Sequence, residues 1–285
     1  LSGVAAGFFR WLVEGAGAHA RERRAQEMGE GRGSSMADDS QMRLGRRAIR
    51  RDARTLRLAA YFTPQLPAPP LRADWTRGLA QWGMMLNDQL GDCTIAGCAH
   101  AVQVWSANAG AIKTVPDATV EQYYEHWDGY NPADPQDTDN GGIELDVLKK
   151  WKKEGLAGNR LLGFADPHSA NLVEIRQSIA LFGGVYIGLS LPRTAQKQEV
   201  WDVVMSGGAD AEKGSWGGHC VFVVGYDEQG FTCITWGALK TMTVAFWQQY
   251  VDEAHTLLGA NWLDAKGAPS GFNQQQLLAD LQAIR

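Results

Sequence analysis

Apolar and polar positions follow two different periods along this chain. From Cys93 to about Ala109 the apolar residues recur at helical spacing, and Gly110 is a natural stop. "TVEQYYEHW" and "ELDVLKKWKKEGL" predict two more helices, the second ending at Gly155, with the breaker-rich loop "DGYNPADPQDTDNGG" between them. "LVEIRQSIALFG" predicts a fourth helix and "GVYIGLSL" a strand. After the loop "GGADAEKGSWGG", the run "HCVFVVGYDEQGFTCITWG" reads as two β-rich segments joined at "DEQG", a hairpin. "TVAFWQQYVDEAHTLL" and "NQQQLLADLQAI" predict two closing helices. Helices come first and a mostly antiparallel β region follows, which is an α+β order.

Ahead of this core the pattern fades. Residues 1–42 are rich in Gly, Ala and charge and read as a disordered or non-native leader, with a natural start expected at Met36 or Met42. Residues 43–73 form a basic arm and a Pro-rich lead-in. In the arm, Arg43, Arg46, Arg47, Arg50, Arg51, Arg54 and Arg57 recur at helical spacing and predict one solvated basic face. Residues 74–240 hold the core, and residues 241–285 are expected as a helical appendage packed on it.

Charge and composition narrow the function classes. A net charge of −5 gives no global basic field for nucleic acid or an anionic membrane, and one short basic run in an acidic chain is weak evidence for either. No apolar run is long enough to span a bilayer. Four cysteines are too few for a disulfide scaffold in a chain of 285 residues, so reduced thiols and a cytoplasmic location are expected.

The chemistry centres on "NDQLGDCTIAGCAHA". Cys93 falls where a helix begins, and the free N–H groups and positive dipole end there stabilise a thiolate. The alternative is a buried, inert thiol, as free cysteine is among the most buried residue types. Cys98 lies roughly 140° round the helix and reads as a core thiol. Among the histidines, His100 shares the face of Cys93 but lies about 10.5 Å along the axis, too far to act as its base. His126, His168 and His255 read as surface or capping residues. His219 follows Gly217 and Gly218, which permit close approach of another segment, and it opens an apolar strand. A metal site built from Cys93, Cys98, His100, His219 and Cys220 matches no strong zinc spacing, and no metal or other cofactor is expected.

These motifs resemble those of the papain-like (C1-type) cysteine peptidases. "DWTRGLAQWGMMLNDQLGDCTIAGCAHAVQ" is similar to the region around the family's nucleophile, especially in bacterial members. "DNGGIELDVLKKWKKEGLAG" resembles the Gly-Gly substrate-binding segment, and "VEIRQSIALFGGVYIGLSL" the helix and strand before the catalytic histidine. "GGHCVFVVGYDEQGFTCITWG" resembles the segment that carries that histidine. The match runs collinearly from about Asp74 to Gly237.

The resemblance implies a helical lobe with Cys93, a β lobe with His219 and a cleft between them. It implies Cys93 as nucleophile, His219 as its partner, Asn87 in place of the family's oxyanion-hole Gln, and Gly141, Gly142 and Gly218 as substrate-binding positions. Two departures stand out. Gln89 is close to the oxyanion position but displaced. The family's histidine-orienting Asn falls on Ile234, which cannot accept the imidazole proton. Strand alternation puts Ile234 and Trp236 on one face and Thr235 on the other, so Thr235 is expected to orient the histidine only if the register shifts. Trp236 is expected either to shield His219 or to be a core residue. The implied activity is a cysteine-dependent hydrolase acting on a peptide or protein. A weak or inactive relative that binds peptides through the same cleft, and an acyltransferase or deamidase, remain as alternatives.

Overall fold

The computed structural model describes residues 42–284. The leader expected over 1–42 therefore lies, apart from Met42, outside the described residues.

Eight helices and eight strands are formed among the described residues. They are, in order, β1 (Ala73–Asp74), α1 (Cys93–Asn108), α2 (Asp117–Asp128), the single turn α3 (Pro135–Thr138), α4 (Glu144–Glu154), β2 (Leu161–Ala165), α5 (Leu172–Phe182), β3 (Val185–Leu191), β4 (Val200–Trp201), β5 (Gly217–Tyr226), β6 (Gly230–Thr235), β7 (Ala238–Thr243), α6 (Val244–Tyr250), β8 (Val251–Gly259), α7 (Ala260–Lys266) and α8 (Gln274–Ala283). The strands join in the order β2-β8-β3-β5-β6-β7-β4, with β1 added to β5. Every pairing is antiparallel except β4 with β7. None of the described helices is long and apolar enough to cross a membrane.

Helix α1 is apolar nearly all round because it is enclosed: every residue from Cys93 to Ser106 is buried. Small residues let it approach the sheet closely. A Cβ on Gly97 would come within 2.9 Å of the Tyr186 ring on β3. Polar pins fix the contact, with Tyr186 donating to the Thr94 carbonyl at 2.8 Å and Trp105 Nε1 donating to the Phe182 carbonyl at 2.9 Å. Helix α4 is amphipathic instead. It buries Leu145, Leu148 and Trp151, the last stacked on Trp105 with ring centroids 5.9 Å apart, and it ends at Gly155, whose φ of +82° favours glycine.

Two expectations from the sequence need correcting. The helix expected across 243–258 stops at Tyr250, and the next nine residues form β8, hydrogen-bonded between β2 and β3. A strand covered on both faces loses the alternation that would mark it, and its polar members Glu253 and His255 are buried. The basic arm is not a helix either. Residues 43–47 run extended, because backbone N–H groups there are used by other segments, Arg43 by the Asn87 carbonyl, Arg46 by the Gly218 carbonyl and Arg47 by the Gly142 carbonyl, and the arm then turns at Asp52–Thr55. Spaced arginines with no apolar stripe gave that helix nothing to bury.

Candidate active site

Cys93 is the first residue of α1 and is fully buried. Its sulfur meets the backbone N–H groups of Cys220 and Gly45. Burial pushes the thiol up to about 12, and those two N–H groups only partly oppose the effect. The preceding Asp92 is also buried, and burial raises its carboxyl well above the usual range.

His219 lies near the start of β5, one residue before the Cys220 N–H that reaches the sulfur. Its Nε2 is 2.7 Å from Thr235 Oγ1, and its ring stacks on Trp236 with centroids 4.3 Å apart and planes within 6°. Its Nδ1 is buried and has no hydrogen-bond partner. Burial, reinforced by the nearby Arg46 charge, lowers the imidazole to about 3, so the ring is neutral. In this closed arrangement the cysteine is thus a thiol and the histidine a neutral imidazole, and no hydrogen bond joins the sulfur to Nδ1.

The condition set for Thr235 is met. The register between β5 and β6 shifts between Val223 and Gly225, and beyond the shift Ile234 pairs with Phe222, which leaves Thr235 on the face that carries His219. The strand ends there, and Trp236 turns with a φ of 44°, which swings its ring back over the imidazole. Ile234 is buried in the sheet.

Asn87 is buried, and its Nδ2 donates to the Leu90 carbonyl at 3.2 Å and, at 3.5 Å, to the Arg43 carbonyl. Trp236 Nε1 donates to that same Arg43 oxygen at 3.1 Å. Gln89 is exposed, and it enters the site through its backbone oxygen, which accepts from Arg43 Nε at 3.2 Å.

The groove between the two lobes is filled by the chain itself. Gly142 donates to the Gly45 carbonyl at 2.8 Å, Arg47 donates to the Gly142 carbonyl at 2.8 Å, and Arg46 donates to the Gly218 carbonyl at 3.0 Å. Residues 43–47 therefore lie as an extended strap, paired parallel to the Gly141–Gly142 segment and crossing the sulfur at Gly45. The fit depends on glycine. A Cβ on Gly45 would sit 1.7 Å from the Gly91 oxygen, and one on Gly141, whose φ is +72°, would sit 1.9 Å from the Gly45 oxygen.

Sequence reasoning missed the ionic cluster under the strap. Arg46 is buried, with its guanidinium against Asp252 (2.9 Å), Glu253 (3.4 Å) and Glu144 (3.9 Å). His255, expected at the surface, is buried in β8 and lies 3.1 Å from Glu253. His100 is buried with Nε2 2.9 Å from the Gly83 carbonyl, and His126 and His168 are exposed. All four cysteines are free and buried.

No family model and no curated protein sequence matches the chain. Its fold does match solved structures. One is xylellain, a cysteine protease from Xylella fastidiosa, at a TM-score of 0.56 and 13% identity over 79% of this chain and 98% of that one. Another is digestive procathepsin L 3 of the Tenebrio molitor larval midgut, at a TM-score of 0.50 and 11% identity over 88% of this chain and 90% of that one. The α+β fold of this chain is that of the papain-like cysteine proteases.

Proposed function

We propose that this protein is a cysteine-dependent hydrolase acting on peptides, held closed by its own residues 43–47. The observation that carries this reading is the pairing at His219. With Thr235 Oγ1 accepting from Nε2–H, Nδ1 keeps its lone pair free; no hydrogen bond joins it to the sulfur in the closed form, and it takes the proton of Cys93, whose sulfur meets the N–H of the adjoining Cys220, once the site opens. In the reaction, the Cys93 sulfur attacks a peptide carbonyl and His219 returns the proton to the departing amine. The resulting thioester is then cleaved by water, with His219 as base. Asn87 Nδ2 carries two hydrogens, of which one is used by Leu90. The other, given to the Arg43 carbonyl of the strap in the closed form, is released when the strap withdraws and then, with the N–H of Cys93, serves the developing oxyanion. Gly142 and Gly218 offer an extended substrate the backbone groups that now bind the strap.

A carbonyl reaches the sulfur only after the strap withdraws, and withdrawal admits water. Water lowers the desolvation that holds the thiol protonated and the imidazole neutral, so opening the groove also activates the pair. An epoxide or vinyl-sulfone probe tests the assignment. Labelling on Cys93 that vanishes in Cys93→Ala and falls in His219→Ala supports it; folded protein that stays unlabelled even after the strap is displaced rejects it.

The second reading is a peptide-binding protein with weak or no turnover. It is favoured by the hydroxyl that stands where the resemblance implies a carboxamide beside the histidine. Acyl transfer or deamidation would use the same thioester, and product analysis with and without an added amine separates these from hydrolysis.

A further inference from the structure

The strap is anchored by one side chain. Arg46 turns from the groove into a pocket formed by α4, β3 and β8, where each nitrogen meets a different acceptor. One terminal nitrogen lies 2.9 Å from Asp252 Oδ1 and donates to Ser190 Oγ at 3.2 Å; the other lies 3.4 Å from Glu253 Oε2; Nε faces Glu144 at 3.9 Å. The planar fork of a guanidinium matches three separated acceptors, which a single ammonium cannot reach together.

The pocket is built to receive that group. Glu144 is 1% exposed, and neither of its carboxyl oxygens has a hydrogen-bond partner, so a buried polar side chain is aimed at the guanidinium position without being used up by its neighbours. Gly188 makes the room: a Cβ there would lie 2.4 Å from Glu144 Oε1 and 2.8 Å from Arg46 Cδ. Glu144, Glu253 and His255 place ligand atoms within 4.8 Å of one another, a grouping that calls for a cation, and Arg46 supplies it. Removing Arg46 and leaving nothing would strand buried acid groups beside one another. A solvent-open cavity of about 650 Å³, lined in part by Asp252, Glu253 and His255, leads up to the pocket from outside.

Position along the groove sets what the pocket reads. Gly45 crosses the sulfur, and Arg46 is the next residue, held through its backbone to Gly218 and Gly142. We propose that this pocket selects an arginine side chain of the peptide substrate, one residue from the carbonyl under attack, and that Arg46 occupies it in the closed protein. The inference rests on the hydrolase reading for the word substrate, and on the pocket alone for arginine recognition.

The test uses the full chain carrying Arg46→Ala and Cys93→Ala, which empties the pocket and removes any chemistry. Binding of fluorescein-labelled Ala-Ala-Arg-Gly-Ala is compared with its Lys, Leu and citrulline versions. At least tenfold tighter binding of the arginine peptide than of the citrulline and leucine peptides, lost on adding Glu253→Gln, is the expected result. Equal affinities overturn the proposal. Ethylguanidinium should also raise the melting temperature of the Arg46→Ala variant more than propylurea does.

If Arg46→Ala does not fold, Gly45→Val with Cys93→Ala displaces the strap by its clash with Gly91 and gives the same comparison. Restoring Cys93 separates the two readings. An arginine peptide that binds selectively but is never cleaved rejects the hydrolase and leaves the pocket standing, whereas cleavage with no preference for arginine does the reverse.

Discussion

His219 Nε2 and Thr235 Oγ1 lie 2.7 Å apart in a site closed to solvent. A hydroxyl rotates and both donates and accepts, so it fixes the imidazole tautomer less firmly than a carboxamide oxygen would. Trp236, flat against the other side of the ring, restricts the motions that Thr235 leaves free. Thr235→Val keeps the shape and removes the partner. It should lower kcat for peptide cleavage by about 10- to 100-fold, the cost of one hydrogen bond at about 1.5–3 kcal/mol, and leave KM within about twofold. Steady-state kinetics on a strap-released form check this; an unchanged kcat would mean that Trp236 alone orients the ring.

The strap should be removable by one methyl group. A Cβ at Gly45 would overlap the Gly91 oxygen at 1.7 Å, and backbone on both sides leaves no flexible atom to yield. Gly45→Ala should therefore raise the rate of epoxide labelling of Cys93 by at least tenfold while lowering the melting temperature by a few degrees, because the Arg46 ion pairs go with the strap. Labelling rates and thermal unfolding on the same samples check both parts.

The sequence discloses the parts of the site that local chemistry specifies. The apolar run after "LGD" marks the helix that presents Cys93, and "DEQG" marks the turn that brings β6 beside His219. The ionic pocket was hidden because its members come from positions 46, 144 and 252–255 and meet only in space. β8 was hidden because burial on both faces erased its alternation, and its acids and His255 read as solvated helix positions. Thr235 hung on a register that the sequence leaves open. The shift between Val223 and Gly225 sets Thr235 on the face of His219, and nothing in "VFVVGYDEQGFTCITWG" announces that irregularity.

Asp128 gives a stability prediction whose sign is opposite to that of most carboxylates. Burial raises it from 3.8 to about 7, with the charges of Lys150 and Arg47 only partly opposing. An acid raised on folding keeps its proton in the native state, so stability is full below about pH 4 and falls as pH rises through 7. A shift of that size caps the loss at about 4 kcal/mol, and partial solvent access reduces it. Asp128→Asn should be more stable than the parent at pH 8 and close to it at pH 4, as read by denaturant unfolding at both values. A variant less stable at pH 8 would mean that the ionised form makes a contact worth more than its desolvation.

The closed site should open in acid. His219 is held neutral by burial, with Arg46 adding to the effect, and is lowered from 6.5 to about 3; His100 is lowered by burial to about 4. A histidine depressed on folding contributes stability that is complete above its unfolded value and is lost as pH falls through 6.5 toward the folded value. Exposure of His219 when the strap leaves restores an ordinary affinity for protons, so protons bind the open form better and draw the equilibrium toward it. Between pH 7 and pH 5 the fraction of open molecules should rise by about tenfold or more, limited by how far the exposed ring regains its usual value. Hydrogen exchange of the Arg46 and Arg47 amides, bonded to Gly218 and Gly142 in the closed form, measures opening without depending on thiolate chemistry. After correction for intrinsic exchange rates, their protection should fall from pH 7 to pH 5 in the parent and much less in His219→Gln, which cannot take up the proton; equal falls in both would place the acid response in the ionic pocket instead.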